Sequence, residues 1–478
     1  MTSTRQHRSE DDWDVVVIGA GGAGLSAAIA AADAGGRVVM FESEDEIGGS
    51  TMMSAGMFTA AGTSVQAALG ITDSPAAHFQ HYMDLNQWRL RPGLIRAFCE
   101  RSRETFEWLL SLGLEVPAQR STNAHMPGLA RAGVEDVWRG HVPAGEGHGL
   151  TEVLDRARRE RGVEVVLRTR VERLLVEDGR VRGVVADGVS VRAPATVVAS
   201  GGLTRNPALV EQYYPDAMSA GEDLFVVSAP GHRGDHIAFG EQVGSALAGQ
   251  GWGMLLVTAY FQRMHHWQSG FPPSARILVD ASGRRFMDED ASYAVAAGIV
   301  ADHGGTAWMV FDEAGRRSLS SGYPHWSPDN VAREADAGRT HRADTVAELA
   351  GRFGADADVL EATVDRWNRH LPHGVDPDFL RHESLAAKGA PVPAAIAEGP
   401  FYAVRCRAAE LAVSHAGLLI DQDARVLDGS ERVVPGLFAA GESCGGILGN
   451  RYVGGGTAIA NAVVNGRSAG TAAVRDAT

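Results

Sequence analysis

Residues 14–30 read DVVVIGAGGAGLSAAIA, a short apolar run followed by closely spaced glycines and an alanine-rich stretch. The apolar run predicts a buried strand, and the alanine-rich stretch predicts a helix. Between them, Gly19 permits a tight turn, Gly21 lets the backbone approach a pyrophosphate, and Gly24 lets the helix pack closely on the strand. The candidate phosphate-binding residues are Gly19, Gly21, Gly22, Ala23 and Gly24.

An acidic residue ends the next predicted strand, which runs from Arg37 to Glu42. In a strand–turn–helix–strand unit, a carboxylate at this position can hold the ribose hydroxyls of a dinucleotide. A glycine turn alone is weak evidence, but here strand, turn, helix, second strand and acidic residue follow in order. The combination therefore predicts a dinucleotide-binding domain.

A second loop of small residues follows where a nicotinamide enzyme would begin its next strand–helix unit. Residues 43–56 read SEDEIGGSTMMSAG. Small residues let a bulky planar group lie against the backbone, and serine and threonine hydroxyls can bond to a ribityl chain and phosphates. These features favour a flavin dinucleotide. The candidates in this loop are Ser43, Gly49, Ser50, Thr51, Ser54, Ala55 and Gly56.

Composition limits the partners that this chain can have. The sequence holds 44 basic and 59 acidic residues, a formal net charge of −15, which disfavours nucleic acid and anionic membranes. Its three cysteines, Cys99, Cys406 and Cys444, form no CxxC pattern, so no metal site is predicted. The first thirteen residues contain no apolar secretion signal, and no segment has the length of a membrane span. We therefore expect a cytoplasmic protein.

A second glycine-rich stretch lies near the C-terminus. Residues 436–457 read GLFAAGESCGGILGNRYVGGGT, and an alanine-rich run follows. The triple glycine at 454–456 leads into a predicted helix, whose N-terminus carries unpaired N–H groups and the positive end of the helix dipole. That end suits the N1–C2=O edge of an isoalloxazine ring, where negative charge develops on reduction. Glu442 can accept from a ribityl hydroxyl.

Together, the two glycine-rich stretches resemble the flavoproteins of the fumarate reductase and 3-ketosteroid dehydrogenase superfamily. The resemblance is strong at residues 14–62 and 436–470 and weaker between them. It implies an α/β fold, in which a Rossmann-type FAD-binding domain with a central parallel sheet (1–253 and 414–478) is interrupted by an inserted α+β substrate-binding cap domain (254–413). Further implied cofactor contacts are Val171, Ser200, Gly201, Gly441, Glu442, Gly455, Thr457, Ala458 and Ile459.

The implied FAD is non-covalent. In histidyl-flavin relatives the linking histidine precedes a threonine after the glycine-rich loop, whereas Ser50 precedes Thr51 in this sequence. We also expect a small-molecule substrate and a separate electron acceptor, namely oxygen, a quinone or a carrier. The sequence gives no expectation of the oligomeric state.

Two segments resemble the ketosteroid dehydrogenases in particular. Fumarate reductases continue Asn-Arg-Leu-Gly-Gly, whereas residues 450–456 read NRYVGGG. A tyrosine followed four residues later by a glycine implies that the Tyr452 hydroxyl and the Gly456 N–H hold a substrate ketone. Residues 283–289, GRRFMDE, are similar to the family's GRRFxNE segment. The catalytic tyrosine four residues beyond that glutamate corresponds to Tyr293, the implied base.

Other residues keep a reductase interpretation open. Residues 311–319, FDEAGRRSL, resemble the segment that carries the arginine acid of fumarate reductases, and the match falls on Arg316. Arg451 stands where those enzymes clamp a substrate carboxylate. Their His-Thr-x-Gly-Gly motif is replaced by VSHAG at 413–417, so His415 is not at the matching position. His265 and His266 receive no role.

The resemblance therefore implies α,β-desaturation of a cyclic ketone that can also carry a carboxylate, as 4-oxocyclohexanecarboxylate does. Tyr452 and Gly456 would polarise the ketone as an oxyanion hole does, and Tyr293 would remove the α-proton while a β-hydride passes to flavin N5. One alternative is a fumarate- or urocanate-type reductase with Arg316 as acid and Arg451 as clamp. Another is a non-catalytic flavin-binding electron carrier.

Overall fold

The computed structural model describes residues 13–121, 125–131, 134–387 and 392–477, which form two compact units. The first unit comprises the described residues up to Asp216, Ser228–Met254 and the chain from Val413. The second comprises Ala217–Val227 and Leu255–Ala412. The predicted boundaries lay at 253/254 and 413/414, and they left Ala217–Val227 in the FAD-binding part. The roles of the two units remain predictions.

Strands and helices alternate along much of the chain. The strands are β1 (Val15–Ile18), β2 (Val38–Phe41), β3 (Phe58–Thr59), β4 (Gly128–Ala130), β5 (Gly140–Val142), β6 (Glu164–Val166), β7 (Val171–Glu177), β8 (Arg180–Ala186), β9 (Val189–Arg192), β10 (Ala195–Val198), β11 (Phe225–Val226), β12 (Leu247–Ala248), β13 (Gly253–Ala259), β14 (Ile277–Val279), β15 (Ala307–Asp312), β16 (His341–Ala343), β17 (Phe401–Ser414), β18 (Gly417–Leu418), β19 (Arg425–Leu427) and β20 (Val433–Ala439). The α-helices are α1 (Gly22–Asp33), α2 (Gly49–Met53), α3 (Ser64–Ala68), α4 (Pro75–Leu85), α5 (Pro92–Ser111), α6 (Glu146–Glu160), α7 (Pro207–Tyr213), α8 (Asp235–Val243), α9 (His266–Ser269), α10 (Tyr293–Asp302), α11 (Glu313–Arg317), α12 (Pro328–Asp336), α13 (Val346–Phe353), α14 (Ala357–His370), α15 (Arg381–Ala387) and α16 (Thr457–Ala477). Short 3-10 segments cover Pro215–Asp223, Leu371–His373 and Gly441–Ser443.

The first unit is built on a six-stranded sheet with the order β19-β20-β10-β1-β2-β6. All neighbours run parallel except β19, which pairs antiparallel with β20 at one edge. Every residue of β1, β2 and β10 is buried, as expected for parallel strands covered on both faces. The predicted α/β class and central parallel sheet are therefore confirmed.

Helices α1 and α16 pack with their backbones in close contact. A Cβ at Gly466 would collide with Ala23 O, and a Cβ at Gly470 would collide with Ala27 O. The α1 residues that meet these glycines are Ala23, Ser26 and Ala27, all of them small, so the two helices can approach closely. Larger residues at Gly466 or Gly470 would therefore push α16 away from α1.

Two apolar stretches of the sequence are each divided in the structure. The stretch 163–177 forms β6, which pairs with β2, and β7, which pairs with β8. A turn with Arg168 at φ +54° separates them. The stretch 75–111 forms two helices, α4 and α5, because Gln87 and Trp88 adopt positive φ and Pro92 starts the second helix. Local apolar spacing indicated these residues but could not show which sheet each part joins.

The second unit is organised around the long strand β17. Strands β11, β13, β15 and β16 pair with β17, and β14 continues the sheet beyond β15. Its core includes Phe311 and Tyr402, whose rings stack at a centroid distance of 5.5 Å, and the fully buried Trp326. Among the described residues of both units, no helix is long and apolar enough to cross a membrane.

Candidate active site

The glycine turn after β1 leaves room for a ligand at one position and none at others. Gly19 has a φ of +98°, and a Cβ there would collide with Ala199 O. A Cβ at Gly24 would likewise collide with Gly19 O. At Gly21, the N-cap of α1, the nearest protein atom to an added Cβ would be Gly48 O at 3.7 Å. Gly21 therefore faces open space, as a phosphate bound at the start of α1 requires.

Glu42 fixes the same turn through backbone contacts. Its Oε2 accepts from Ala20 N–H at 2.7 Å, and its Oε1 accepts from Glu44 N–H at 3.0 Å and from the Ser43 hydroxyl at 3.2 Å. Oε2 keeps a second lone pair for a ligand hydroxyl. Sequence reasoning identified this residue but not its bond to the turn.

The hydroxyls of the second small-residue loop all have protein partners. They accept from backbone N–H groups as follows: Thr51 from Gly22 at 3.2 Å, Ser54 from Gly56 at 3.0 Å and Ser50 from Ala229 at 2.9 Å. An added Cβ at Gly49 would have no atom nearer than 3.8 Å. The hydroxyls thus shape the loop, and their contact with a ribityl chain remains a prediction.

A polar chain that sequence reasoning missed connects Ser50 with Glu442. His232 Nε2 lies 2.9 Å from Ser50 Oγ, and His232 Nδ1, which accepts from Gly202 N–H at 3.1 Å, lies 3.4 Å from Glu442 Oε2. Glu442 Oε1 accepts from the N–H and the hydroxyl of Ser414 at 2.9 and 3.0 Å. Burial raises the pKa of Glu442, but His232 and Ser414 outweigh it and bring that pKa below its usual value. Glu442 is therefore charged, and only Oε2 is left for the predicted ribityl contact.

The end of β10 meets the turn that carries Glu442. The Ser443 hydroxyl donates to Gly201 O at 3.0 Å and lies 3.4 Å from Ser200 Oγ. Gly201 has a φ of +78°, and a Cβ there would press on the His232 ring at 2.6 Å. The predicted residues Ser200, Gly201, Gly441 and Glu442 are thus brought together. The only local signal for His232 is its place between two glycines ahead of α8.

The Tyr452 hydroxyl caps the start of α16. It accepts from Ala458 N–H at 2.9 Å, and the Thr457 hydroxyl donates to Gly454 O at 2.8 Å. Burial raises the pKa of Tyr452, so the phenol is neutral. A hydroxyl that accepts from a helix N-terminus can still donate its own proton, and the helix dipole favours negative charge on its partner. This position suits a donor to a ketone oxygen.

Gly456 is confined by the strand that follows the small-residue loop. Its φ is +94°, and a Cβ there would lie 2.6 Å from Met57 O. The triple glycine therefore passes directly against the backbone at β3. Any larger residue at this position would push the start of α16 away from the loop.

The main chain of Arg451 is held by Asn86, and its side chain can bind a ligand. Its N–H donates to Asn86 Oδ1 at 3.0 Å, and Asn86 Nδ2 donates to Arg451 O at 3.3 Å. The guanidinium makes no hydrogen bond or ion pair with any residue that the structure describes. A planar cation beside a buried turn suits a ligand carboxylate. No pattern in the helix α4 predicted the role of Asn86.

His415 is less suited to bind a carboxylate. Its Nδ1 lies 2.6 Å from Gly449 O, and burial lowers its pKa to about 4. Neutral His415 therefore donates through Nδ1 to Gly449, which leaves an acceptor lone pair at Nε2. An acceptor does not stabilise a carboxylate, so Arg451 is the stronger candidate.

Glu135 is a buried acid beside the triple glycine. The Thr59 hydroxyl donates to its Oε1 at 2.8 Å, and a Cβ at Gly454 would collide with its carboxyl group. Its Oε2 has no hydrogen-bond partner among the described residues. Burial raises the pKa of Glu135 to about 8, against the opposing effects of Thr59 and Arg139. Glu135 is therefore largely protonated at neutral pH. It lies in an irregular segment, so no sequence pattern marked it.

The second unit carries the predicted base and the predicted arginine acid. Tyr293 is a partly buried residue that begins α10, directly after the N-cap Ser292, whose hydroxyl accepts from Ala294 N–H at 3.2 Å. A helix N-terminus favours negative charge, which a phenol acting as a base must carry.

Arg316 is committed to a structural ion pair. Its Nε and Nη2 donate to both carboxylate oxygens of Glu313 at 2.8 and 2.7 Å, and its Nη1 donates to Pro328 O at 2.8 Å. Glu313 also accepts from the Tyr402 hydroxyl at 2.8 Å. The bond to Glu313 raises the pKa of Arg316, whereas a proton donor needs a lower pKa. The geometry disfavours Arg316 as a general acid.

The first unit has the features that FAD requires. Gly21 and Gly49 have no side chain and leave space next to the backbone that a Cβ would occupy. The start of α1 offers N–H groups to a pyrophosphate there. Glu42 supplies an acceptor for ribose hydroxyls, and the start of α16 supplies positive dipole next to Tyr452. These residues fit FAD.

Comparison with known proteins agrees with this site. The family model described as "FAD binding domain" matches residues 14–459. The chain is 31% identical to fumarate reductase (cytochrome) of Shewanella frigidimarina, over 97% of this chain and 77% of that protein. It is 27% identical to 3-oxosteroid 1-dehydrogenase of Mycobacterium tuberculosis, over 95% of this chain and 97% of that protein.

The chain also resembles a solved ketosteroid dehydrogenase structure over nearly its whole length. The 3-ketosteroid-Δ4-(5α)-dehydrogenase of Rhodococcus jostii RHA1 is 26% identical to this chain, with a TM-score of 0.79 over 99% of both chains. The predicted resemblance and the predicted FAD are therefore confirmed. The chain belongs to the FAD-binding family of flavoprotein oxidoreductases that act on CH–CH groups, which includes both fumarate reductases and ketosteroid dehydrogenases.

Proposed function

We propose that this enzyme desaturates a cyclic ketone at the bond α,β to the carbonyl, and that the ketone also carries a carboxylate. The proposal is carried by two neighbouring residues: Tyr452, whose hydroxyl caps the start of α16, and Arg451, whose guanidinium makes no hydrogen bond or ion pair with any residue that the structure describes. Tyr452 and the Gly456 N–H would hold the ketone oxygen, and Arg451 would hold the carboxylate.

The protein's own residues would stabilise the charge that develops on the ketone oxygen and would accept the α-proton. Hydrogen bonds from Tyr452 and Gly456 to the ketone oxygen lower the pKa of the α-carbon, as an oxyanion hole does. Tyr293 would then take the α-proton on its phenolic oxygen. FAD, when bound, supplies the redox chemistry by taking up the two electrons that leave the substrate. A separate acceptor such as oxygen, a quinone or a carrier protein would complete turnover.

A neutral substrate would leave the Arg451 guanidinium without a ligand group to bind. A steroid ketone has no group for Arg451, whereas a 4-oxocyclohexanecarboxylate-like compound has both a ketone and a carboxylate. Glu135 is largely protonated at neutral pH, so it carries little negative charge near Tyr452 and does not repel an anionic substrate. These points favour an acidic cyclic ketone.

The second candidate is reduction of an unsaturated carboxylate. The 31% identity to a fumarate reductase and the presence of Arg451 favour it. The ion pair of Arg316 with Glu313 argues against the predicted acid of that reaction. We therefore place desaturation first. A non-catalytic electron carrier has no support in a family of enzymes.

Two tyrosine variants test the proposal. Tyr452→Phe should slow anaerobic flavin reduction by the best ketone by about 10²–10³, because one of two donors to the enolate is lost. Tyr293→Phe should abolish flavin reduction while ketone binding persists. Phenylalanine at 452 also removes the cap on Ala458, so the thermal stability of each holoenzyme is measured alongside. Near-normal flavin reduction in both variants would refute the proposal and favour the reductase.

A further inference from the structure

Two adjacent histidines and a buried glutamate converge in the second unit. His265 is the N-cap of α9 and His266 is the first residue of that helix, while Glu410 lies on β17. His265 Nδ1 lies 3.3 Å and His266 Nδ1 lies 3.6 Å from the same oxygen, Glu410 Oε1. The three atoms all lie within 4.8 Å of one another.

These polar atoms are not satisfied by the protein. Glu410 is fully buried, and neither of its carboxylate oxygens has a hydrogen-bond partner among the described residues. The Nδ1 atoms of His265 and His266 also lack one, because the contacts to Glu410 do not have hydrogen-bond geometry. Buried polar atoms almost always have partners, so four unsatisfied atoms at one point indicate a missing ligand.

The surrounding contacts hold the histidines in place. The His265 ring stacks on Trp267 at a centroid distance of 3.5 Å, and His265 O accepts from the N–H groups of Gln268 and Ser269, each at 2.9 Å. The site is therefore preorganised.

We propose that His265, His266 and Glu410 bind one divalent transition-metal ion of the zinc class. Two imidazole nitrogens and one carboxylate oxygen are ligands that Zn²⁺ accepts, whereas Mg²⁺ and Ca²⁺ prefer oxygen ligands alone. A tetrahedral zinc with bonds of about 2.0–2.2 Å separates its ligand atoms by about 3.3 Å, close to the two distances observed. Three protein ligands leave one position for water or a small anion.

Metal analysis of the holoenzyme tests this proposal independently of the ketone chemistry. The chelator-treated, desalted enzyme is titrated with Zn²⁺ by calorimetry, and bound zinc is then counted against FAD by mass spectrometry. We expect one zinc per FAD in the wild type and no binding of Mg²⁺. Glu410→Gln and His266→Ala should each lower zinc affinity by about a hundredfold or more, because each removes one of three bonds.

The exposed His373, in the same unit, provides the matched control. His373→Ala should bind zinc like the wild type, which separates the site from adventitious binding to surface histidines. If Glu410→Gln fails to fold, the partly exposed His266→Ala carries the test alone. A wild type that retains no zinc, or variants that retain as much as the wild type, would overturn the proposal and leave an ordered water as the bridging group.

Discussion

Burial gives Glu135 a pKa of about 8, compared with its ordinary value of 4.5, and this difference makes stability depend on pH. Between these values the folded state holds a proton that the unfolded state releases, so stability falls as pH rises. The slope reaches about 1.4 kcal/mol per pH unit. Glu135→Gln mimics the protonated acid and removes this slope.

The comparison of variant with wild type isolates Glu135 from other titrating groups. Urea unfolding midpoints measured from about pH 5 to about pH 8 should show Glu135→Gln gaining stability relative to wild type as pH rises. A stability difference that does not change with pH would mean that Glu135 ionises normally.

Glu42 should contribute to FAD binding in two ways, by accepting from ribose hydroxyls of the cofactor and by holding the glycine turn through Ala20 N–H. Glu42→Ala removes a charged acceptor and frees Ala20 N–H, so FAD affinity should fall about ten- to a hundredfold. Fluorescence titration of the apoenzyme measures this directly. Glu46→Ala, an exposed carboxylate four residues away, is the control and should bind FAD normally. Equal affinities for both variants would show that Glu42 does not contact the cofactor.

At the scale of elements, the close contact of α1 and α16 should be intolerant of added volume. Gly470→Ala places a methyl group against Ala27 O and should cost about 1–3 kcal/mol or more. Gly351→Ala provides a matched control in α13, where an added Cβ meets nothing within 4 Å. That variant should gain up to about 1 kcal/mol, because alanine favours helix. Similar thermal midpoints for both variants would contradict the packing described.

The elements of the FAD-binding unit could be predicted because their signals are local. The apolar run of β1, the glycines at 19, 21 and 24 and the acidic end of β2 all lie within thirty residues. The chain Ser50–His232–Glu442–Ser414 could not be predicted, since it joins four distant segments. The role of Arg316 as an acid stays a prediction, and the ion pair that argues against it is local, because Glu313 lies three residues earlier in the same motif.

At the scale of the whole molecule, FAD should be held without a covalent bond. The loop at residues 48–56 contains no histidine or cysteine that could form a flavin linkage. Acid precipitation of the purified enzyme should therefore release all yellow colour into the supernatant. Colour that remains in the pellet would contradict the prediction.

Arg451 should determine which ketones the enzyme prefers. If its guanidinium pairs with a substrate carboxylate, Arg451→Met should penalise acidic ketones by about 2–5 kcal/mol and barely affect neutral ones. Comparing kcat/KM for carboxylated and plain cyclohexanones within one variant cancels general damage to the turn. Equal losses for both substrates would assign Arg451 a structural role.

The central claim is desaturation of an acidic cyclic ketone, and anaerobic mixing of the wild-type holoenzyme with 4-oxocyclohexanecarboxylate tests it most directly. We predict that the visible flavin absorbance bleaches and that the ring gains a double bond next to the ketone. A flavin that stays oxidised with every saturated cyclic ketone, yet is reoxidised from its reduced form by an unsaturated carboxylate, would contradict desaturation and establish the reductase.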